Sequence, residues 1–249
     1  GAVCLFFGNV MWMTGQPIYV AVHWWIAFLV LTIVGERLEL ARILHPSRKN
    51  QDTFIAAVLL FLLGTGITPF NLKAGIFLSG LGEIVLALWL FRYDIARMTI
   101  RKTGLPRFIA ACLLAGYAWL AFSGALAMFS GEARAGLYYD ALLHSLFIGY
   151  VFSMIFGHGP IIFPALTGLS VTYHRSFYVF LVALHGSLII RVIGNLTGIV
   201  PLRQWGGMLN FVSVLLFVVT MAVGRLLVRR QEARMAASMP NSRLESSSL

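Results

Sequence analysis

The feature that most restricts the fold of this chain is a series of apolar runs, most of them about twenty residues long. A hydrocarbon core about 30 Å thick needs roughly 17–25 mostly apolar residues per helix. Of the 249 residues, 59% are apolar and 11% charged, against about 45–50% and about 25% in soluble domains. These values exclude a soluble globular enzyme, a disordered chain and a disulfide scaffold. Eight apolar runs follow one another, at about 2–13, 17–38, 53–70, 73–92, 107–129, 138–158, 175–197 and 205–228.

These runs are predicted to be helices. They lack strand-like alternation and exceed the roughly ten residues of a barrel strand, and backbone polar groups in lipid must be satisfied within the segment. We therefore predict an all-α polytopic membrane bundle of about eight transmembrane helices over residues 1–230. A polar, disordered cytoplasmic tail is predicted over 231–249. The first run is too short to span and starts at Gly1 without an initiator Met. A truncated or processed end is therefore expected, with a cleaved signal peptide as the alternative.

The basic residues predict the orientation of the bundle. Cytoplasmic loops carry an excess of Lys and Arg, and here the even-numbered runs end in basic segments whereas the opposite loops carry single basic residues. Both termini are therefore predicted to be cytoplasmic. This placement accounts for most of the net charge of +10 without nucleic acid as a partner. The basic side holds Arg37, Arg42, Arg48, Lys49, Arg92, Arg97, Arg101, Lys102, Arg107, Arg175, Arg225, Arg229, Arg230, Arg234 and Arg243, and the opposite side holds Lys73, Arg134 and Arg203.

Three histidines within the runs suggest a cofactor site. Ionisable residues in membrane spans are expensive and usually mark a site, and imidazole ligates both metals and haem. His23, His144 and His185 lie on three different runs. At 1.5 Å per residue they fall within about 8 Å of one depth in the outer half of the bilayer. A haem b or copper site with His144 and His185 as ligands is the first prediction, and His23 or His158 is the next ligand. For each histidine, a hydrogen bond between helices is the alternative.

A second relation places two histidines on one helical face. His144 and His158 are fourteen residues apart, about 40° short of four turns and about 21 Å along the axis. Two histidines placed in this way can be axial ligands of two stacked haems when another helix carries a similar pair. The seventh run carries only His185, because His174 lies at its junction with the preceding loop. Met154 lies four residues before His158, so a soft thioether–imidazole copper pair or simple packing is predicted there.

Two acids and one arginine complete the polar residues of interest. Glu83 lies in mid-span, where an unpaired carboxylate stays protonated, and it is predicted to handle protons, as is Asp140. Arg191 needs a counter-charge in the outer half of the bilayer. Asp140, Glu83 and a haem propionate are the alternatives for that partner.

The run from Tyr139 to Asn195 carries a family resemblance. It contains Asp140-Ala141-Leu142-Leu143-His144, then Ser153-Met154-Ile155-Phe156-Gly157-His158, then His185 and Arg191-Val192-Ile193. This pattern resembles the carboxy-terminal part of the NnrS family, which are bacterial membrane proteins associated with haem, copper and nitric oxide metabolism. The resemblance implies a multi-pass protein of the bacterial inner membrane and favours haem or copper as the cofactor.

The leading functional prediction is an integral-membrane haem- or copper-binding protein of bacterial respiratory or nitric oxide metabolism, engaged in redox or gas-ligand handling. Its expected partners are membrane lipid, other membrane subunits and a quinol or cytochrome electron partner. One alternative is a structural or accessory subunit of a larger respiratory or photosynthetic complex, and another is a small secondary transporter. The sequence has no P-loop, Cys-x-x-Cys, Gly-x-Ser-x-Gly or His-Glu-x-x-His motif, which disfavours hydrolytic and nucleotide-driven activities. Whether the protein is an enzyme stays open.

Overall fold

The structure of the protein is a computed structural model, which describes residues 1–41, 47–167 and 173–238. Every regular element in these residues is helical. The elements are α1 (Ala2–Met13), α2 (Ile18–Ala41), α3 (Arg48–Ile67), α4 (Leu72–Tyr93), the short α5 (Ala96–Thr99), α6 (Leu105–Ser130), α7 (Leu137–His144), a π-helical segment (Ser145–Val151), α8 (Phe152–Thr167), α9 (Phe177–Thr197) and α10 (Val200–Ser238).

Seven of the described helical stretches are long and apolar enough to cross a membrane. They are α2, α3, α4, α6, the continuous α7–α8 stretch, α9 and the part of α10 up to Met221. The prediction of an all-α multi-pass membrane bundle is confirmed, with α1 as an additional shorter apolar helix. The end of the bundle that carries the basic loops is called the inner face below.

The first helix pairs with α2 in antiparallel fashion. Asn9 accepts a hydrogen bond from the indole of Trp25 at 3.1 Å, and Gly1 lies against Phe28 and Thr32. Twelve residues cover only about 18 Å, and the Gly1 end of α1 lies beside the apolar part of α2. At the other end, α10 continues to Ser238, eight residues into the predicted disordered tail. Arg42 and residues 239–249 lie outside the described residues.

Glycines allow α4 and α6 to approach closely. A Cβ atom on Gly80 would lie 2.6 Å from the carbonyl oxygen of Gly124, and one on Gly124 would lie 3.0 Å from Cβ of Glu83. Small residues at such crossings let transmembrane backbones pack directly. The contact therefore presses the Glu83 side of α4 against α6.

The π-helical segment changes the phase of the helix that contains His144 and His158. A π-helix bonds residue i to i+5 and so turns less per residue than an α-helix. The sequence argument for a shared histidine face assumed an uninterrupted α-helix and is not valid here. Gly149, within the segment, packs against the side chain of Trp119, where a Cβ would lie 2.6 Å from the Trp119 Cβ. π-helical segments are frequent at functional sites.

Candidate functional site

A buried arginine lies near the inner face of the bundle. Arg37 belongs to the last turns of α2, yet its side chain is only 3% exposed. Its guanidinium Nη2 donates to Glu36 Oε1 at 2.9 Å and lies 2.8 Å from Nε2 of His158. Glu36 is 58% exposed. The guanidinium thus connects an exposed carboxylate with an imidazole inside the bundle.

The hydrogen bonds of His158 define its tautomer. Arginine is only a donor, so His158 Nε2 accepts from Arg37 and its Nδ1 carries the proton. Nδ1 accordingly donates to the Met154 carbonyl oxygen at 2.6 Å. Glu36 Oε1 lies 3.7 Å from the same Nε2. Both ring nitrogens of His158 are therefore occupied within the protein.

Three further polar side chains accompany Arg37 and His158. Asp94 is 2% exposed, and Tyr117 and Tyr150 are fully buried. The Tyr117 hydroxyl interacts with Asp94, and both tyrosines belong to the same buried core as Val34 and Ala41, which flank Arg37 on α2. We call Arg37, Asp94, Tyr117, Tyr150 and His158 the inner cluster.

Several atoms of the inner cluster are buried without a hydrogen-bond partner. They are Arg37 Nε, Asp94 Oδ2 and the hydroxyl oxygens of Tyr117 and Tyr150. Buried polar atoms in native proteins are nearly always bonded to protein or ordered water. Tyr117 and Asp94 interact through their side chains, so Arg37 Nε and the Tyr150 hydroxyl are the atoms that bound water or another small polar species would satisfy.

Burial dominates the ionisation of Asp94, which follows the last residue of α4. Its carboxylate accepts the backbone N–H of Ala96 at 2.7 Å. Burial raises the pKa of Asp94, and the Ala96 N–H, the charge of Arg37 and the Tyr117 hydroxyl oppose this increase. The carboxyl group therefore keeps its proton to a higher pH than an exposed aspartate does.

Glu83 lies deeper in the bundle on the same helix as Asp94. Its side chain is 5% exposed, and Oε2 has no hydrogen-bond partner. The Ser123 hydroxyl on α6 interacts with the carboxyl group, and Tyr150 belongs to the same buried core as Ala87 and Leu90, which follow Glu83 on α4. Tyr150 thus relates Glu83 to the inner cluster.

A second polar cluster lies near the opposite end of the bundle. Arg191 donates to both oxygens of Asp140, from Nε at 3.1 Å and from Nη2 at 2.8 Å. Asn195 donates to Asp140 Oδ2 at 2.6 Å. His144 Nδ1 lies 2.9 Å from the Asp140 carbonyl oxygen and 3.4 Å from its Oδ1. We call these four residues the outer cluster. Of the partners predicted for Arg191, the structure pairs it with Asp140 and not with Glu83.

His185 occupies a different environment from His144. Its Nδ1 accepts from the Trp119 indole N–H at 2.9 Å, and its Nε2 lies 3.5 Å from Ser153 Oγ. The two rings are nearly parallel, at 12° and with centroids 6.4 Å apart. Because Nδ1 accepts, Nε2 carries the proton and has no free lone pair for a metal. This is the hydrogen bond between helices given above as the alternative.

The remaining predicted ligands also lie apart. His23 is buried, and its Nε2 has no hydrogen-bond partner. Met154 meets His158 through its backbone carbonyl, while its methyl group packs at Gly116 of α6. Within the described residues, no three or more His, Cys, Asp or Glu side chains are grouped so that they could hold a metal ion.

Sequence reasoning missed most of the inner cluster. Arg37 was counted among the basic residues of a loop, and Asp94, Tyr117 and Tyr150 were not considered. One signal in the sequence indicates that Arg37 is buried. Val30 and Val34 precede Arg37 by seven and three residues, and Ala41 follows it by four. Helical positions at this spacing share a face, and all three are buried.

Comparisons with known proteins give a family for the chain. A family model with the description "Domain of unknown function (DUF8744)" matches residues 1–226. Both clusters lie within this range. No curated protein matches the chain, and no solved structure does.

Proposed function

The chain belongs to the DUF8744 family, and we propose that it is a multi-pass membrane protein that transfers protons between its inner face and Glu83. The observation that carries this proposal is the group of unpartnered, buried polar atoms in the inner cluster. Ionisable groups within membrane spans commonly form ion pathways and proton relays. An unpaired charge at the position of Glu83 would be costly, so this site favours the neutral acid.

The order of the groups supports a pathway. Glu36 is exposed at the inner face and contacts Arg37 and His158. Asp94 interacts with the Tyr117 hydroxyl and with the charge of Arg37. Tyr117 and Tyr150 belong to the buried core that also holds Ala87 and Leu90 of α4, between Glu83 and Asp94 in the sequence. Water bound at the unpartnered atoms would complete the hydrogen-bonded chain, because ordered water satisfies such groups.

The test measures proton exchange at Glu83 directly. The full chain in lipid vesicles is transferred rapidly from H2O to D2O, and infrared spectroscopy follows the carboxylic-acid C=O band that is missing in Glu83→Gln. We expect the band to exchange, and exchange should be at least about tenfold slower in Tyr150→Phe, which keeps the ring and removes the hydroxyl.

The matched control is Tyr138→Phe, because Tyr138 is 55% exposed and lies outside both clusters. Its exchange rate should equal that of the wild type. If Tyr150→Phe also exchanges at the wild-type rate, or if the Glu83 band does not exchange at all, the pathway is wrong. The accessory-subunit hypothesis would then lead. A secondary transporter remains compatible with a working pathway, because such a transporter also needs proton access.

A haem or copper centre at the outer cluster is a second candidate, with His144 as its ligand. His144 Nδ1 bonds to the Asp140 carbonyl, which leaves the lone pair of Nε2 available. Metal-ligating histidines typically make this kind of bond through the other nitrogen. Asp140 is in turn held by Arg191 and Asn195. A bound haem or copper would supply redox or gas-ligand chemistry, and the bacterial inner membrane implied by the NnrS resemblance would be its location.

Optical spectra and metal analysis of the purified protein test this candidate. We expect a Soret band or stoichiometric copper that is lost in His144→Ala. The same signal should persist in His185→Ala, because Trp119 and Ser153 already occupy that ring. A colourless, metal-free and folded wild-type protein would refute the candidate.

Membrane lipid is the general partner of the exposed apolar helix faces, and we propose a lipid-soluble quinol as the specific one. A cavity of about 350 Å³ opens between α8 and α10 and is lined by apolar side chains and by His158 of the inner cluster. Its volume lies in the range of small-molecule sites. Binding of a quinone analogue should be lost in Ile162→Trp, which fills the cavity. It should be retained in Ile161→Trp, which is exposed outside it. Equal binding by both variants would refute this partner.

A further inference from the structure

A basic pocket at the inner face shares no lining residue with either polar cluster. It has a volume of about 390 Å³ and is formed where the start of α6 meets the start of α9. Two arginines line it together with three hydroxyl-bearing side chains, and the lining residues that the structure describes include no carboxylate. The lining consists of Thr103, Gly104, Arg107, Tyr173, Arg175 and Tyr178.

Buried aromatic packing holds the tyrosines of this pocket in place. Phe108 is fully buried, and its ring lies 5.4 Å from that of Tyr178 and 6.4 Å from that of Tyr173. The two tyrosine side chains also interact with each other, and Tyr178 interacts with Arg107. The two tyrosine rings are therefore positioned before any ligand arrives.

The helix end in the pocket adds to the positive potential. The N-cap of α6 is Gly104, which has no side chain to bond the backbone N–H groups of Leu105 and Arg107. Pro106 between them has no N–H, and no acidic residue lies in the first turn. A helix of 26 residues carries a partial positive charge at this end. Two guanidinium groups, three hydroxyls and this helix terminus together match a phosphate group.

The position of the pocket selects a lipid phosphate over a soluble one. Arg175 stands two residues before α9, which then presents Val179 and Val182 on its surface, 63% and 66% exposed. A phosphate in the pocket would thus continue into acyl chains lying along these valines. We propose that this pocket binds the headgroup of an anionic phospholipid from the inner leaflet. This inference is independent of the proton pathway.

Titration of the full chain with phosphatidylglycerol or phosphatidylcholine in detergent tests the proposal, with bound lipid counted by native mass spectrometry. The wild type should bind one phosphatidylglycerol preferentially. Arg107→Gln/Arg175→Gln should bind it about 30-fold more weakly, since each basic residue near an anionic leaflet contributes about fivefold. The single variant Tyr178→Phe tests the site without a change of charge and should also weaken binding.

The matched control is Arg101→Gln/Lys102→Gln, which removes two exposed charges from the same face but not from the pocket. Its affinity should stay within about twofold of the wild type. An equal loss in the control would mean general attraction to charge and would overturn the proposal. Displacement of the lipid by millimolar inorganic phosphate would also overturn it, because the site would then serve free phosphate.

Discussion

Replacement of the Arg191 guanidinium by an uncharged group is the sharpest test of the outer cluster. Arg191→Met keeps an unbranched side chain but removes both hydrogen bonds from Arg191 to Asp140. Asp140 then keeps the hydrogen bond from Asn195 and the contact with His144. Breaking a fully buried ion pair costs about 3–5 kcal/mol, whereas an exposed pair contributes about 0–1 kcal/mol. The Arg191 and Asp140 side chains are 19% and 26% exposed, so a loss of about 2–3 kcal/mol in the free energy of unfolding is expected.

Thermal unfolding of the purified protein in detergent measures this loss. For a chain of this size, each kcal/mol lowers Tm by about 2–4 °C, so Arg191→Met should lower Tm by about 4–12 °C. Asp140→Asn removes the opposite charge and should be destabilising as well. Because the two residues are partners, the double variant should be more stable than the sum of the single losses predicts, by at least about 1 kcal/mol.

The chain offers a matched control in an exposed ion pair of the same type. Arg134 Nη2 lies 3.1 Å from Glu132 Oε2, with the side chains 56% and 50% exposed. Arg134→Met should therefore cost less than about 1 kcal/mol. If Arg191→Met costs no more than Arg134→Met, or if the double variant is strictly additive, the outer cluster does not hold Asp140 as described.

Two further predictions concern packing and pH. Gly149→Ala should lose about 1–3 kcal/mol in the free energy of unfolding, because the added Cβ would overlap Trp119. Gly186→Ala has open space around its Cβ position and should be neutral or slightly stabilising. Equal effects of the two variants in thermal unfolding would contradict the contact between Gly149 and Trp119. For Asp94, burial raises the folded-state pKa above its ordinary value of 3.8, so the folded chain binds this proton more tightly than the unfolded chain. Its contribution to stability then falls as pH rises from about 3.8 through the raised pKa. Asp94→Asn should remove that part of the pH dependence of unfolding, and an unchanged profile would show that folding does not raise the pKa of Asp94.

The spans were predictable because they follow from average composition over twenty residues. The runs at 73–92 and 175–197 agree with α4 and α9 to within two residues at each end. Helix packing was less accessible, since neighbours in a bundle depend on side-chain fit. The π-helical segment is an example. It contains Gly149, which contacts Trp119 on α6, and the hydrophobic pattern of the local sequence does not predict it.

The outer cluster could be predicted in part because its members are unusual in their surroundings. Asp140 and Arg191 are opposite charges on two apolar runs at similar depth, so their pairing was among the alternatives. Arg37 was missed for the opposite reason, because basic residues are common near the inner ends of helices. The number of basic residues in each loop predicts the orientation of the helices, but it carries no information about which face of a helix each basic residue occupies.

The periodicity of α4 explains why the two buried acids of the proposed pathway lie on one side of this helix and its C-cap. Glu83 and Asp94 are eleven residues apart, about 20° past three turns and about 16 Å along the axis. Ala87 and Leu90 lie between them on the same face, and all four residues are nearly inaccessible. Arg37 stands in a comparable buried series on α2, with Val30, Val34 and Ala41. An ionisable residue at a position of an otherwise apolar helical series is therefore a readable signal of an internal polar site. Within a membrane, an ionisable residue on such a face would otherwise contact lipid, so it needs polar partners from neighbouring helices. Here α6 and the α7–α8 stretch provide these partners.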